Sequence, residues 1–287
     1  MLAQRVVTAI ILLAVLLGAL LASTPWPLVL LLSLAAACAL WEWLRLTWPG
    51  KPSMGPLLVG LLFFVFALAL AVPWLDETSS SLVLGLSDWL GGWLVPIVAA
   101  VWVIGATALV VRGDAQGRAG SAWLSLFGVL AVVAAWVALV QLYLAQGAWF
   151  LVSLMALIWC ADIAAYFTGR AFGRRKLAPR VSPGKTWEGA AGGVVAAVAW
   201  VLVSAWWPGS FGAVLTDRWP WWIVAVIAAL LAALSIVGDL FESLLKRRAG
   251  VKDSSQLLPG HGGVYDRIDA LLPVAPIALL LSGIFMS

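Results

Sequence analysis

Trp221-Trp-Ile-Val-Ala-Val-Ile-Ala-Ala-Leu-Leu-Ala-Ala-Leu-Ser-Ile-Val-Gly-Asp239-Leu-Phe-Glu242 is an apolar run that ends on two carboxylates. A bilayer-crossing helix needs ~20 mostly apolar residues, and the run from 220 to 242 supplies them. Eight comparable runs lie near 5–22, 27–45, 56–74, 93–111, 122–144, 149–169, 188–207 and 270–286. Helix is the expected form, because lipid cannot satisfy free backbone polar groups. The alternation that marks a transmembrane barrel is absent. Composition agrees: the 287 residues are 64% hydrophobic and 10% charged, against about 25% charged in a soluble domain. The expected fold is all-α, a polytopic integral membrane protein with about nine transmembrane helices.

The charges set an orientation. With the N-terminus in the cytoplasm, nine crossings place every Lys and Arg except Arg218 in inner segments, the bias that fixes topology in membrane proteins. The C-terminus then lies on the opposite side. Arg5, the apolar run after it and Leu21-Ala22-Ser23 have the features of a signal peptide. The run is long and the cleavage signal weak, so a retained first helix is expected. Cys38 and Cys160 sit inside apolar runs and read as small buried hydrophobes, not as a disulfide or metal pair. Trp26, Trp48, Trp74, Trp93, Trp149 and Trp221 fall near span ends and suit interfacial belts. The pI near 9.4 comes mostly from the inner loops. No nucleic-acid module accompanies that charge, so a nucleic-acid partner is not expected.

Two inner segments concentrate the polar residues. The first runs from Trp159 to Gly193. Asp162 and Tyr166 are four apart and share a helix face; an ionisable residue inside a span is costly and points to function. Arg170, Lys176, Ser182, Pro183, Lys185, Thr186, Glu188 and Gly189 follow. Ser182-Pro183 reads as a helix start. Gly184-Lys185 lacks the spacing of a phosphate loop. In the second segment, Asp239, Glu242, Ser243 and Lys246 fall at i, i+3, i+4 and i+7, a polar stripe if the helix extends past the bilayer surface. Glu242 and Lys246 also read as a simple i,i+4 pair. Arg247, Lys252, Asp253, His261, Gly262, Gly263, Asp266, Arg267 and Asp269 complete it. The glycines would let backbone N–H groups approach a ligand. Asp266 and Asp269 alternatively serve the start of the last helix. Carboxylates with a single His suit a hard cation such as Mg²⁺, and Lys and Arg suit a polyanion. Residue types alone therefore point to phosphoryl or nucleotidyl transfer. A transporter would spread its charges along several spans, whereas here they gather at one face.

Ser243-x-Leu245-Lys246-Arg247-x4-Lys252-Asp253-x-Ser255-x2-Leu258-Pro259-x-His261-Gly262-Gly263-Val264-x-Asp266-Arg267-Ile268-Asp269 resembles the signature of the phosphatidate cytidylyltransferase (CDP-diacylglycerol synthase) family. The Ser182-to-Gly189 block and the Asp162/Tyr166 helix resemble it too. The likeness is strong over roughly 150–287; the first half matches only as generic spans. Ser255 stands where Gly is frequent, and Ala270 where Ser often follows. The resemblance implies that CTP and phosphatidic acid give CDP-diacylglycerol and pyrophosphate with Mg²⁺, in phospholipid biosynthesis at a bacterial inner membrane, with the active site facing the cytoplasm. It implies a homodimer, and leaves open a second cation, divalent or K⁺. On that basis Asp239 and Asp266 are expected to hold the metal, with Lys185, Asp162, Lys252, Asp253 and Asp269 beside them in the chemistry. Tyr166, Arg170, Lys176, Ser182, Pro183, Thr186, Glu188, Gly189, Ser243, Lys246, Arg247, His261, Gly262, Gly263 and Arg267 would contact substrate. Residues 1–148 are expected to be scaffold, with dimer contacts, and 149–287 the catalytic region. A polyprenol kinase or a CDP-archaeol synthase is the nearest rival; a CDP-alcohol phosphotransferase lacks its own helix motif here.

Overall fold

The computed structural model describes residues 2–50, 53–75 and 81–284. Lys51 and the end of the last expected span lie outside them. The chain is a bundle of helices: α1 Leu2–Leu20, α2 Trp26–Thr47, α3 Gly55–Leu75, α4 Ser81–Trp89, α5 Val95–Ala100, α6 Thr107–Arg112, α7 Ala122–Phe172, α8 Trp187–Ser204, α9 Phe211–Thr216, α10 Trp221–Ala249, α11 Tyr265–Ile268 and α12 Leu271–Ser282. Among the described residues, six helices are long and apolar enough to cross a membrane, as in an integral membrane protein; Val6–Leu20 and Leu271–Ser282 are shorter apolar helices. The stretch from α4 to α6 forms one of the six from Gly85, joined through π-helical turns at Leu90–Leu94 and Val101–Ala106. The expected runs 122–144 and 149–169 are the two arms of α7. They are separated at Gly147, whose φ of 84° and ψ of 178° form a conformation open only to glycine.

A second departure concerns Ser182-Pro183. No helix starts there. Lys176–Ala178 (β1) and Ser182–Thr186 (β2) pair antiparallel, with Lys176 opposite Thr186. Pro183 and Gly184 are poor helix residues, and Pro is tolerated at a sheet edge. α8 instead starts at Trp187, capped by Thr186, whose hydroxyl accepts from Gly189 N at 3.1 Å. The Glu188 carboxylate accepts from Arg174 N at 3.0 Å and Arg175 N at 3.2 Å, fastening the entry to the hairpin. α8 then lies unusually close to α7. A Cβ on Gly189 or Gly193 would stand 2.8 Å from Ala165 O or 2.7 Å from Ala161 O. Small residues at such crossings are how membrane helices approach, and here they set Lys185 beside the face of α7 that carries Asp162.

The centre of the bundle is aromatic. Trp93, Trp149 and Trp221 are exposed as the belt reading expects, but Trp43, Trp102 and Trp136 are fully buried. Trp43 lies 5.1 Å from Tyr265, 5.4 Å from Phe241 and 6.1 Å from Trp102 between ring centroids. Its Nε1 donates to Leu124 O at 2.9 Å. One side chain on α2 thus joins the helices of the first half to α10 and α11. Trp43→Ala should lower stability by about 3–5 kcal/mol, the usual cost of emptying such a site. A thermal melt in detergent checks this; an unchanged midpoint would contradict the hub.

Candidate active site

α10 supplies three acidic or basic groups on one face. Asp239, Glu242 and Lys246 follow each other at helical spacing and all line a cavity of about 470 Å³, with Asp162 from α7 and Asp253, Asp266, Arg267 and Asp269 from the segment before α12. Ligand oxygens of Asp239, Glu242 and Asp269 lie within 4.8 Å of one another. A second cavity, about 510 Å³, is lined by Asp162, Tyr166, Arg170, Lys185, Thr186, Gly189 and Asp239 among others. Asp162 and Asp239 belong to both. Lys185 reaches from β2 to Asp239 at 2.7 Å. Arg170 donates to the Tyr166 hydroxyl at 3.2 Å, and Ser243 Oγ donates to Asp239 at 3.4 Å.

Asp266 has a different environment from the one expected beside Asp239. Its Oδ1 meets Lys246 Nζ at 2.6 Å, and its Oδ2 accepts from Ser254 N at 3.0 Å, Ser254 Oγ at 2.8 Å and Gly263 N at 2.7 Å. Both oxygens are therefore committed to the protein. Glu242 pairs with the same Lys246 at 2.7 Å, but its Oε1 is buried with no hydrogen-bond partner among the described residues. A buried, orphaned carboxylate oxygen is costly. Placed next to Asp239 and Asp269, it fits a site meant for a hard cation, which takes carboxylate oxygens. Among the described residues it is Glu242, not Asp266, whose carboxylate oxygen groups with those of Asp239 and Asp269. From the sequence Glu242 reads only as an i,i+4 partner of Lys246, a contact that the structure also contains.

The electrostatics separate the two aspartates. Burial, and after it the charge of Asp239, push the Asp269 carboxyl up to about 8. Burial also acts to raise Asp266, but the neighbouring Glu242 side chain, Lys246 and the Gly263 N–H outweigh it and hold it well below the ordinary carboxylate range. Asp266 is thus held in its charged form by its protein partners, whereas Asp269 belongs to a crowded group whose mutual repulsion a cation would relieve.

The residue that sequence reasoning missed altogether is Glu42. It is fully buried in α2, in a half that matched only as generic spans. Its carboxylate accepts from Ser255 Oγ at 2.5 Å, Tyr265 N at 2.6 Å, Ser254 Oγ at 3.0 Å and Val264 N at 3.1 Å. Ser254 Oγ thereby bridges Glu42 and Asp266. Gly262 and Gly263 lie against this network. Gly262 has φ +84°, and a Cβ on Gly263 would run into Ser254 Oγ and stand 2.5 Å from Glu42 Oε2. The only available signal was the acid itself, since a charge inside a span is expensive.

Several expected contact residues line neither cavity. Lys176, Ser182 and Pro183 belong to the hairpin strands, and Glu188 fastens the hairpin's entry. Arg247 Nε donates to Val181 O at 3.2 Å and braces the hairpin on α10. Lys252 is exposed. His261 O accepts from Arg267 at 2.8 Å, and its own Nδ1 is buried without a partner among the described residues.

The bundle and its two cavities define an integral membrane protein with an acid–base centre where α7, α10, the hairpin and the loop before α12 meet. The chain belongs to the cytidylyltransferase family, whose model matches residues 3–285. It is 40% identical over 283 residues to the phosphatidate cytidylyltransferase of Pseudomonas aeruginosa, covering 96% of this chain and 95% of that one. It is 37% identical over 286 residues to the one of Haemophilus influenzae, covering 96% of each. The Bacillus subtilis enzyme of that name is 44% identical over 128 residues, 45% of each chain.

If Glu42 holds the loop, Glu42→Gln, which keeps the shape but presents an amide donor to donors, should speed exchange of the Val264 and Tyr265 amide hydrogens by about tenfold or more. That is the order of a lost hydrogen bond to a charged group. Hydrogen exchange read by mass spectrometry reports it; unchanged protection of 254–265 would show that Glu42 does not fasten the loop.

Proposed function

We propose that this protein transfers the cytidylyl group of CTP to phosphatidic acid, giving CDP-diacylglycerol and pyrophosphate. The observation that carries this reading is the wall shared by the two cavities. Asp162 and Asp239 face both, so two phosphate-bearing substrates can meet on one charged partition. The mostly apolar cavity, with Arg170 and Lys185, suits the headgroup of a membrane lipid whose tails stay in the bilayer. The carboxylate-rich cavity suits a metal–triphosphate complex. The relatives that span almost the whole chain bear the name of this reaction.

Asp239, Glu242 and Asp269 would hold Mg²⁺, which neutralises charge on the triphosphate and the departing pyrophosphate. A second cation, divalent or K⁺, would have Asp162 on the wall of the same cavity. The chain's own part is positioning and charge. Lys185, held by Asp239 before substrate arrives, is placed to turn to a phosphate oxygen. Lys246, clamped by Glu242 and Asp266, stays a fixed positive charge at the cavity wall. Arg267 also lines this cavity. A phosphate oxygen of phosphatidic acid attacks the α-phosphorus; the new P–O bond forms as the α–β bridge breaks, and pyrophosphate leaves with that electron pair. No nucleophilic side chain is needed, because the lipid phosphate is already an anion.

The topology follows the same reading. Six long apolar helices, one divided at Gly147, together with Val6–Leu20 and Leu271–Ser282, accommodate nine crossings. The distribution of Lys and Arg supports a cytoplasmic N-terminus, a C-terminus on the opposite side and an active site on the cytoplasmic face of the inner membrane. Residues 149–287 carry the reacting groups, and 1–148 act as scaffold with Glu42 reaching into the site. The homodimer rests on family resemblance.

Purified protein given phosphatidic acid and CTP labelled at the α- or γ-phosphorus should put only the α-label into lipid, and chelation of Mg²⁺ should stop it. Asp239→Asn should lower the rate by about two to three orders of magnitude, the scale of losing one charge-stabilising group. γ-Label in the lipid would make the protein a kinase, and full activity in Asp239→Asn would remove the metal assignment.

A further inference from the structure

A third cavity lies outside this site. It is a groove of about 830 Å³ between α6, α8 and α10, roofed by the hairpin. Its walls are almost wholly apolar, and they include Val111, Trp187 and Val195, which are 79%, 58% and 67% exposed. In a membrane protein such a groove faces acyl chains, since water gains nothing there. Its lining includes two arginines, Arg112 from the end of α6 and Arg180 from the hairpin turn. Arg180 also lines a small polar cavity with Gly113 and Asp114, the residues just after Arg112, which brings the two arginines to the same end of the groove. Neither arginine has a carboxylate partner among the described residues. Asp114, the acid nearest the rim, meets Arg248 at 3.5 Å.

The groove is separate from the reacting groups. It shares Leu177, Ala190 and Ile236 with the Lys185 cavity as a common wall, but Asp162, Lys185, Asp239 and Asp269 do not line it. A lipid lying here presents its phosphate to Arg112 and Arg180, not to the carboxylates.

We propose that this groove is a binding site for a non-reacting anionic phospholipid, a diacyl phosphodiester whose headgroup phosphate lies between Arg112 and Arg180 and whose chains fill the channel along α8 and α10. Guanidinium groups match phosphate geometry and are weakly hydrated, and the apolar channel beneath them supplies the rest of the fit. Because α8 and α10 are also the helices behind Lys185 and Asp239, the bound lipid steadies the partition between the two substrate cavities. The lipid is bound and released unchanged.

The test uses the full chain in bilayer discs of phosphatidylcholine with a minor fraction of phosphatidylglycerol, and native mass spectrometry of the lipid that stays bound. The wild type should retain phosphatidylglycerol over phosphatidylcholine. Arg112→Ala/Arg180→Ala should lose about thirtyfold of that preference, the scale of two basic residues at an anionic surface, while turnover of phosphatidic acid in discs otherwise of phosphatidylcholine stays unchanged. Val195→Trp, which fills the channel but leaves the charge, should lose it too. Arg180→Gln, a single change at an exposed turn, gives the same reading if the double variant unfolds. Equal retention by wild type and the arginine variants overturns the proposal. So does a raised KM for phosphatidic acid in those variants, which would make the groove the acceptor's own seat. Wild-type retention without cytidylyl transfer would sink the proposed reaction and leave the groove standing.

Discussion

The Glu42 carboxylate is the constraint around which the site is organised. Removing a carboxylate from water costs several kcal/mol unless the protein replaces its hydration. Among the described residues no cation does so. Instead two hydroxyls and two backbone N–H groups of the 254–265 segment converge on it. The exchange works in both directions: the acid is tolerated only if the loop closes on it, and a loop that is otherwise polar and rich in glycine gains one geometry. Through Ser254 the same network fixes Asp266, through Asp266 it fixes Lys246, and Lys246 meets Glu242. A residue of the second helix thereby places groups more than two hundred positions away.

That frame lets the site hold charges that would otherwise drift apart. Asp239, Glu242 and Asp269 crowd their oxygens together, an arrangement that repels itself without a cation. The stability comes from the surroundings. Trp43, beside Glu42 in sequence, packs at a tilt against Tyr265 and Phe241, and glycines on α8 bring the hairpin and Lys185 against α7. Apolar packing carries the cost, and the carboxylates remain available to ligands. Such preorganised charge is the main resource of phosphoryl-transfer catalysis.

Much of this was legible in the sequence where physics is local. Span length and apolarity located the long helices, and the interruption between 144 and 149 fell at Gly147. The i, i+3, i+7 stripe put Asp239, Glu242 and Lys246 on one face, and the cytidylyltransferase family was readable from the 243–269 signature. What could not be read depends on long-range partners. Glu42 looked like one acid in a generic helix, since its donors are encoded two hundred residues on. The 262–263 glycines read only as room for close approach, since their spacing cannot show that the protein's own Glu42 and Asp266 carboxylates lie beside them. Asp266 and Glu242 are both acidic and both near Asp239. Their partners differ: the Asp266 oxygens are taken by Lys246, Ser254 and Gly263, while Glu242 Oε1 has no partner among the described residues. Ser182-Pro183 misled as a cap because the hairpin is fastened by Glu188, a contact that local pattern does not predict.

The central claim is that Glu42, which is not itself a ligand, fixes the geometry of the cation site. Mn²⁺ titration of the purified protein, followed by electron paramagnetic resonance, tests it most directly in wild type, Glu242→Gln and Glu42→Ala. The account expects Glu42→Ala to weaken Mn²⁺ binding by about an order of magnitude or more, as supporting residues behind metal ligands do, in parallel with Glu242→Gln. Wild-type affinity in a folded Glu42→Ala protein would contradict it.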